Sequence, residues 1–344
     1  MGIATTRDTD ETYLRRALDL AARGPLGDPN PRVGAVILDA DGTVVGEGWH
    51  HGAGTPHAEA EALRAAGDAA RGGTCYVTLE PCDHEGRTPA CSQALLAAGI
   101  ARVVVAGTDP HPVAGGGLAR LRAAGVDVAH GVLVEAAEAL NREWLHAVRT
   151  GRPFVTWKVA STLDGRIAAV DGTSRWITGP AARRDVHEIR ARVGAVLVGT
   201  GTAIADDPAL TVRDADGEDA ARQPLRVVMG ERSTALPADA RLRDGAATTL
   251  LLPTRDPAVA LAALTERGVR HVLLEGGGHL AAAFLREGFV DEVVAYLAPA
   301  LLGAGTPCLA DLGITTIGDA ARLRVTDVRL VGDDVRLTAT LERS

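Results

Sequence analysis

One short constellation limits what this chain can be: Pro56-His57-Ala58-Glu59, then, after a helical run and a strand, Pro81-Cys82 and Cys91. An imidazole and two thiolates are donors that zinc accepts, and three protein ligands leave a fourth tetrahedral position for water. Glu59 is not needed as a ligand, so it reads as the proton carrier for an activated water. Residues two apart point to different sides of a regular helix. His57 and Glu59 therefore meet one site only if a helix begins there and aims its first turn at the metal. The run after His57 is a good helix former. Cys91 likewise opens a helical run, and a helix N-terminus favours the thiolate. Thr74 to Leu79 reads as a buried strand that carries Cys82 to the same end of a sheet. A structural zinc site would want a fourth Cys or His and would not require Glu59.

His-x-Glu followed by Pro-Cys and a second Cys is similar to the zinc-dependent deaminases. Their usual Pro-Cys-x-x-Cys is stretched here by the polar insert Asp83 to Ala90, which suits a substrate-contacting loop. With Pro29-Asn30-Pro31-Arg32-Val33-Gly34, Gly46-Glu-Gly-Trp-His50 and Leu79-Glu-Pro-Cys82-x-His84-x-Gly86-Arg87-Thr88-Pro89-x-Cys91, the first half resembles the pyrimidine deaminase half of the bifunctional deaminase/reductase family of riboflavin biosynthesis. The resemblance implies Glu59 as the catalytic proton shuttle, His57, Cys82 and Cys91 as ligands of Zn2+, and Asn30, His50, His84 and Arg87 as substrate contacts. On its own, Asn30 is equally an ordinary turn residue.

Charge narrows the partners. A formal net charge of −8 argues against a nucleic-acid groove, and so against a nucleic-acid-editing deaminase. Four cysteines give no disulfide framework, Met1 to Asp10 is polar, and no run approaches the ~18 apolar residues of a membrane span. We expect a cytoplasmic homo-oligomer, dimer or tetramer, acting on small phosphorylated pyrimidines. Of 36 basic residues only Lys158 is a lysine.

The pattern predicts a helix over 12–22, a hairpin around Asp39 to Gly42, and a β-β-α-β-α-β-α-β order for a three-layer α/β sandwich of the cytidine-deaminase type. The Gly-rich run to Gly117 is either a phosphate loop or a tight turn, and His111 is given no role. A helix over 133–148 ends before Gly151-Arg152-Pro153, which divides the chain into a deaminase domain, 1–150, and a reductase domain, 151–344.

In the second half, strand 270–274 runs into Glu275-Gly276-Gly277-Gly278 and a helix. Such a turn can hold a pyrophosphate or be merely tight; it is not a G-x-G-x-x-G fingerprint. This half resembles the reductase of the same family, with a fold similar to dihydrofolate reductase. The resemblance implies an NADPH site lined by Ala160, Trp176, Thr202, Asp206, Gly277 and Gly278. It implies substrate contacts from Ser174, Arg190, Leu210, Arg213 and Glu275. Lys158, at a strand end beside them, reads as an active-site cation. Taken singly in this Arg-rich chain, either arginine reads more readily as a solvated charge. One departure is Gly230-Glu231, where the family commonly has Asp-Ser; an acidic Glu231 there would repel a dinucleotide phosphate. The reading is hydrolysis of the 2-amino group of a diaminopyrimidinone ribosylamino 5′-phosphate, then reduction of ribosyl to ribityl.

Overall fold

The computed structural model describes residues 6–84, 89–213 and 217–342, which fall into two compact units, Met1–Gly151 and Arg152–Ser344. The first contains α1 (Thr6–Ala21), β1 (Gly34–Leu38), β2 (Val44–Trp49), α2 (Ala58–Ala66), β3 (Thr74–Leu79), α3 (Cys91–Ala98), β4 (Arg102–Gly107), α4 (Gly117–Ala123), β5 (Asp127–His130), α5 (Val134–Leu140) and α6 (Arg142–Thr150). Its sheet runs β2-β1-β3-β4-β5, antiparallel across the first two pairings and parallel across the last two. The period of two in β1 divides the core. Ala35 and Ile37 pack with α2, α3 and α4, while Val36 and Leu38 pack with α1 and α5. The result is a three-layer sandwich.

Two differences from the sequence reading have physical causes. Helix α1 begins six residues earlier than its apolar stripe. Its polar first turns are docked by Asp10, a buried carboxylate that accepts from Tyr76 Oη and both terminal nitrogens of Arg102. The expected helix over 133–148 is two helices, broken at Asn141. That side chain accepts from Arg32 N–H at 2.8 Å and donates to Arg32 C=O at 2.9 Å, pinning the loop that carries Asn30.

The second unit contains β6 (Phe154–Thr162), β7 (Arg166–Ala168), α7 (Pro180–Ala191), β8 (Ala195–Gly199), α8 (Thr200–Asp206), β9 (Leu225–Met229), β10 (Thr249–Leu252), α9 (Pro257–Thr265), β11 (His271–Leu274), α10 (Gly278–Arg286), β12 (Glu292–Ala298), β13 (Thr306–Pro307), β14 (Leu323–Val331) and β15 (Asp334–Leu341). Its main sheet runs β10-β9-β8-β11-β6-β12-β15-β14. The first six strands are parallel, and β15 and β14 add antiparallel. Both faces of the parallel part are buried, one under α9 and α10 and the other under α7 and α8. This explains the near-continuous apolar runs of its central strands.

Candidate functional sites

In the first unit, His57 is the N-cap of α2 in extended backbone, so its imidazole and Glu59 in the first turn can face one point. Close seating of α2 on the sheet needs glycine. A Cβ at Gly46 would lie 2.2 Å from Ala62 O, and one at Gly48 2.5 Å from Ala58 O. Cys82 follows β3, and Cys91 is the first residue of α3. His57 Nδ1 lies 3.5 Å from Cys82 Sγ and 3.3 Å from Cys91 Sγ, and all three donor atoms fall within 4.8 Å of one another. Ligands at ~2.0 Å (N) and ~2.3 Å (S) around a tetrahedral zinc lie about 3.5–3.8 Å apart, so the set fits the ion.

The electrostatics agree. Burial pushes the Glu59 carboxyl up to about 7. Hydrogen bonding with Cys91, aided by His57, holds the Cys82 thiol down to about 4, whereas the same contact and burial push Cys91 up. Two sulfurs and a buried carboxylate this close call for a cation among them. The Cys91 N–H, at the start of α3, donates to Cys82 Sγ at 3.4 Å.

His50 is buried with its ring edge-on to His57, centroids 5.6 Å apart. Pro56 O can only accept, so the 3.0 Å contact puts the proton on Nδ1 and leaves Nε2 to accept from Asn30 Nδ2 at 3.1 Å. Asn30 is thus fixed beside the metal ligands, with no partner for its side-chain carbonyl among the described residues. His84 is half-buried, and its Nδ1 has no hydrogen-bond partner among the described residues. Arg87 lies outside the described residues.

Glu80 escaped the sequence reading. Its carboxylate accepts from the N–H groups of Asp109, Gly116 and Leu118, fastening that loop beside Cys82. A Cβ at Gly117 would meet Pro81 O at 1.8 Å, so close packing accounts for that glycine. His111 Nδ1 accepts from Val113 and Ala114 N–H within the same loop.

In the second unit, a cavity of about 540 Å³ opens beside β6, β8 and β11. Lys158, Ala160, Ser174, Trp176 and Thr202 line it, as do Asp206, Leu210, Arg213, Arg190 and Glu275. Ten residues read from sequence as ligand contacts thus share one space. Gly277 and Gly278 are not in its wall but begin α10, where Gly277 N–H donates to Thr202 Oγ1 at 3.3 Å. A Cβ at Gly276 would strike Leu280 at 2.4 Å, and one at Gly278 would lie 3.0 Å from Ala310 N. Close packing accounts for these two glycines, whereas a Cβ at Gly277 would meet nothing nearer than Thr202 Oγ1 at 3.7 Å, so this turn before the α10 N-terminus has room for a dinucleotide pyrophosphate.

Glu275 is the electrostatic centre of the cavity. It takes a bidentate contact from Arg190, 2.6 and 3.0 Å, and an ion pair with Lys158 at 3.5 Å. Burial would raise its carboxyl, but Arg190 and Lys158 outweigh that and hold it at about 2. Arg190 also donates to Thr211 O at 3.1 Å. Arg213 is exposed and forms no ion pair among the described residues. The Asp206–Arg213 segment is held in shape by Asp207 and Leu210, both at positive φ (40° and 53°). The fully buried Arg226 donates to Ala209 O, and Arg241 N–H donates to Asp207 Oδ1. Arg226, too, was not apparent from sequence. At the departure from the family pattern, Glu231 is paired at 3.0 Å with Arg255, so its charge is matched. A Cβ at Gly230, φ 143°, would lie 2.4 Å from Thr200 Oγ1.

Fold and site together define a two-part enzyme: a zinc-dependent deaminase followed by a reductase. Residues 7–107 match the cytidine and deoxycytidylate deaminase zinc-binding region, and residues 153–337 match the RibD C-terminal domain. The riboflavin biosynthesis protein RibD of Mycobacterium tuberculosis is 50% identical over 311 residues, 90% of this chain and 91% of that one. That of Escherichia coli is 44% identical, covering 95% and 98%. The structure of Acinetobacter baumannii RibD superposes with a TM-score of 0.88 at 40% identity, covering 98% of this chain and 100% of that chain. The chain belongs to the RibD family, the bifunctional deaminase and reductase of riboflavin biosynthesis, with a zinc-binding deaminase region and an NADPH-dependent reductase region. No helix among the described residues is long and apolar enough to cross a membrane.

Proposed function

We propose that residues 1–150 deaminate a 2,5-diamino-6-ribosylamino-pyrimidinone 5′-phosphate and residues 151–344 reduce the ribosyl group of the product. One observation carries the first step: His57, Cys82 and Cys91 converge beside a buried carboxylate that is free of the ligand set. When bound, zinc supplies the Lewis acidity that makes water a nucleophile near neutral pH. Glu59 takes the water's proton and returns it to the ring nitrogen and the departing amine, so the C–N bond breaks to ammonia and a carbonyl forms. Its raised affinity for a proton suits that shuttling. Asn30 and His50 hold the heterocycle, and His84 and Arg87 contact the substrate, the arginine at its anionic end.

In the second unit NADPH supplies a hydride to the sugar C1. Thr202 and the turn at Gly277 and Gly278 hold the dinucleotide, with Ala160, Trp176 and Asp206 along it. Arg190 and Arg213 bind the 5′-phosphate, Ser174 and Leu210 flank the sugar, and Lys158 and Glu275 set the charge at the reacting end. Glu231 is paired with Arg255, so its charge does not stand alone against a phosphorylated dinucleotide. The test is to follow ammonia release and NADPH oxidation separately. A fragment ending at Thr150 retains only the first, one starting at Arg152 only the second; loss of both in the fragments overturns the division.

We also read the chain as a cytoplasmic homo-oligomer, dimer or tetramer. Strand β14 is an edge strand exposed along nearly all its length, with Leu323, Val325, Val328 and Leu330 between 42% and 74% exposed. Apolar edges of this kind are normally covered.

A further inference from the structure

We propose that His187 is the third member of the phosphate clamp in the reductase cavity, holding Arg213 through Nδ1 and offering its Nε2–H to a phosphate oxygen. The proposal rests on the reading of Arg190 and Arg213 as phosphate ligands.

Four residues of α7, Arg183, Val186, His187 and Arg190, follow the i, i+3, i+4, i+7 spacing of one helix face, and all four border the cavity. His187 is therefore a neighbour of Arg190 by helix geometry alone. The backbone N–H of Arg213 reaches His187 Nδ1 at 3.2 Å. A backbone amide can only donate, so Nδ1 is the acceptor, and a neutral ring must carry its proton on Nε2. Burial, and then the charge of Arg190, depress the imidazole's affinity for a second proton, against Glu275 and a backbone contact with Thr211 that raise it; phosphate would take the ring N–H in place of Thr211. Arg190 has committed three of its five N–H groups to Glu275 and Thr211. Arg213 has a free fork among the described residues. Lys158 and Arg190 already share the Glu275 carboxylate, and Arg213 adds a further cation to the same cavity wall. A neutral donor adds a hydrogen bond to the anion without adding a fourth repelling charge. The same ring fixes the backbone from which the Arg213 side chain springs, so it orients one ligand and supplies another.

The test uses full-chain protein and two probes, ribose 5-phosphate and ribose, with affinities from calorimetry and from competition with reduction. In His187→Asn the amide reaches only the Nδ1 position. Ribose 5-phosphate should bind about tenfold more weakly and ribose unchanged, the cost of one hydrogen bond to a charged group. In His187→Gln the amide reaches the Nε2 position and should recover most of that loss. Nitrogen-15 spectra of the wild-type ring should report the Nε2–H tautomer. Unchanged ribose 5-phosphate affinity in His187→Asn alongside a loss in Arg213→Ala, or an Nδ1–H tautomer, overturns the proposal. So does equal loss of both probes in the two His187 variants, which makes the ring structural only. If Arg213→Ala itself has no effect, the phosphate is placed wrongly and the underlying reading fails first.

Discussion

Replacing Glu275 by Gln removes one negative charge and leaves two positive ones facing each other. The side chain is 7% exposed, and its partners Arg190 and Lys158 are 14% and 18% exposed, so water screens little of what remains. Two routes give the size. Lowering a carboxyl from 4.5 to about 2 corresponds to on the order of 3 kcal/mol of folding free energy at neutral pH. Removing one partner from a buried ion pair costs about 3–5 kcal/mol. Both place Glu275→Gln at roughly 3 kcal/mol less stable in the reductase unit. The carboxyl is depressed on folding, so its contribution is complete above the unfolded value of 4.5 and is lost as pH falls toward 2. Wild-type protein should therefore lose this stability between pH 4.5 and 2, and the difference from the variant should vanish there. Urea unfolding followed by fluorescence, with Trp157 and Trp176 reporting on this unit, measures both. A loss under about 1 kcal/mol at pH 7, or a gap that persists at pH 2, would refute the view of Glu275 as the charge-balancing centre.

Other expectations are as concrete. Glu59→Gln should keep one zinc per chain by metal analysis while ammonia release falls by about 10²–10⁴; retained rate removes its proton role, and lost zinc makes it a ligand. Glu80→Ala orphans three backbone N–H groups and should cost about 2–3 kcal/mol in the deaminase transition, with faster zinc loss to a chelator. Unchanged zinc release would separate that loop from the metal site. Val328→Lys on β14 should shift the protein to monomer by light scattering with both units still folded; an unchanged mass moves the interface elsewhere.

The metal set could be read from the chain because its chemistry admits few residue types, and its spacing only makes sense at two helix starts. The turn residues Asp39-Ala-Asp41-Gly42 between two strand-like runs likewise made the hairpin visible. What stayed hidden acts across distance. Asn141 breaks a helix to hold Arg32, 109 residues away, and no local pattern announces such a bond. Glu80 and Arg226 work by collecting backbone groups that sequence does not distinguish. The order β8-β11-β6 requires a late strand to insert between two earlier ones, a choice made by packing rather than by propensity. His187 lies between these cases, since its helical stripe with Arg183, Val186 and Arg190 was present in the letters.

A chain with 36 basic residues has placed its single primary side-chain amine in the reductase cavity. Amine-directed chemistry therefore meets Lys158 and, apart from the α-amine, nothing else. Reductive methylation with labelled formaldehyde would install, besides the label on the α-amine, one dimethylamino reporter at Lys158, whose amine lies 3.5 Å from the Glu275 carboxylate. Its resonance would follow cofactor and substrate arrival, one after the other, with the positive charge at Lys158 retained.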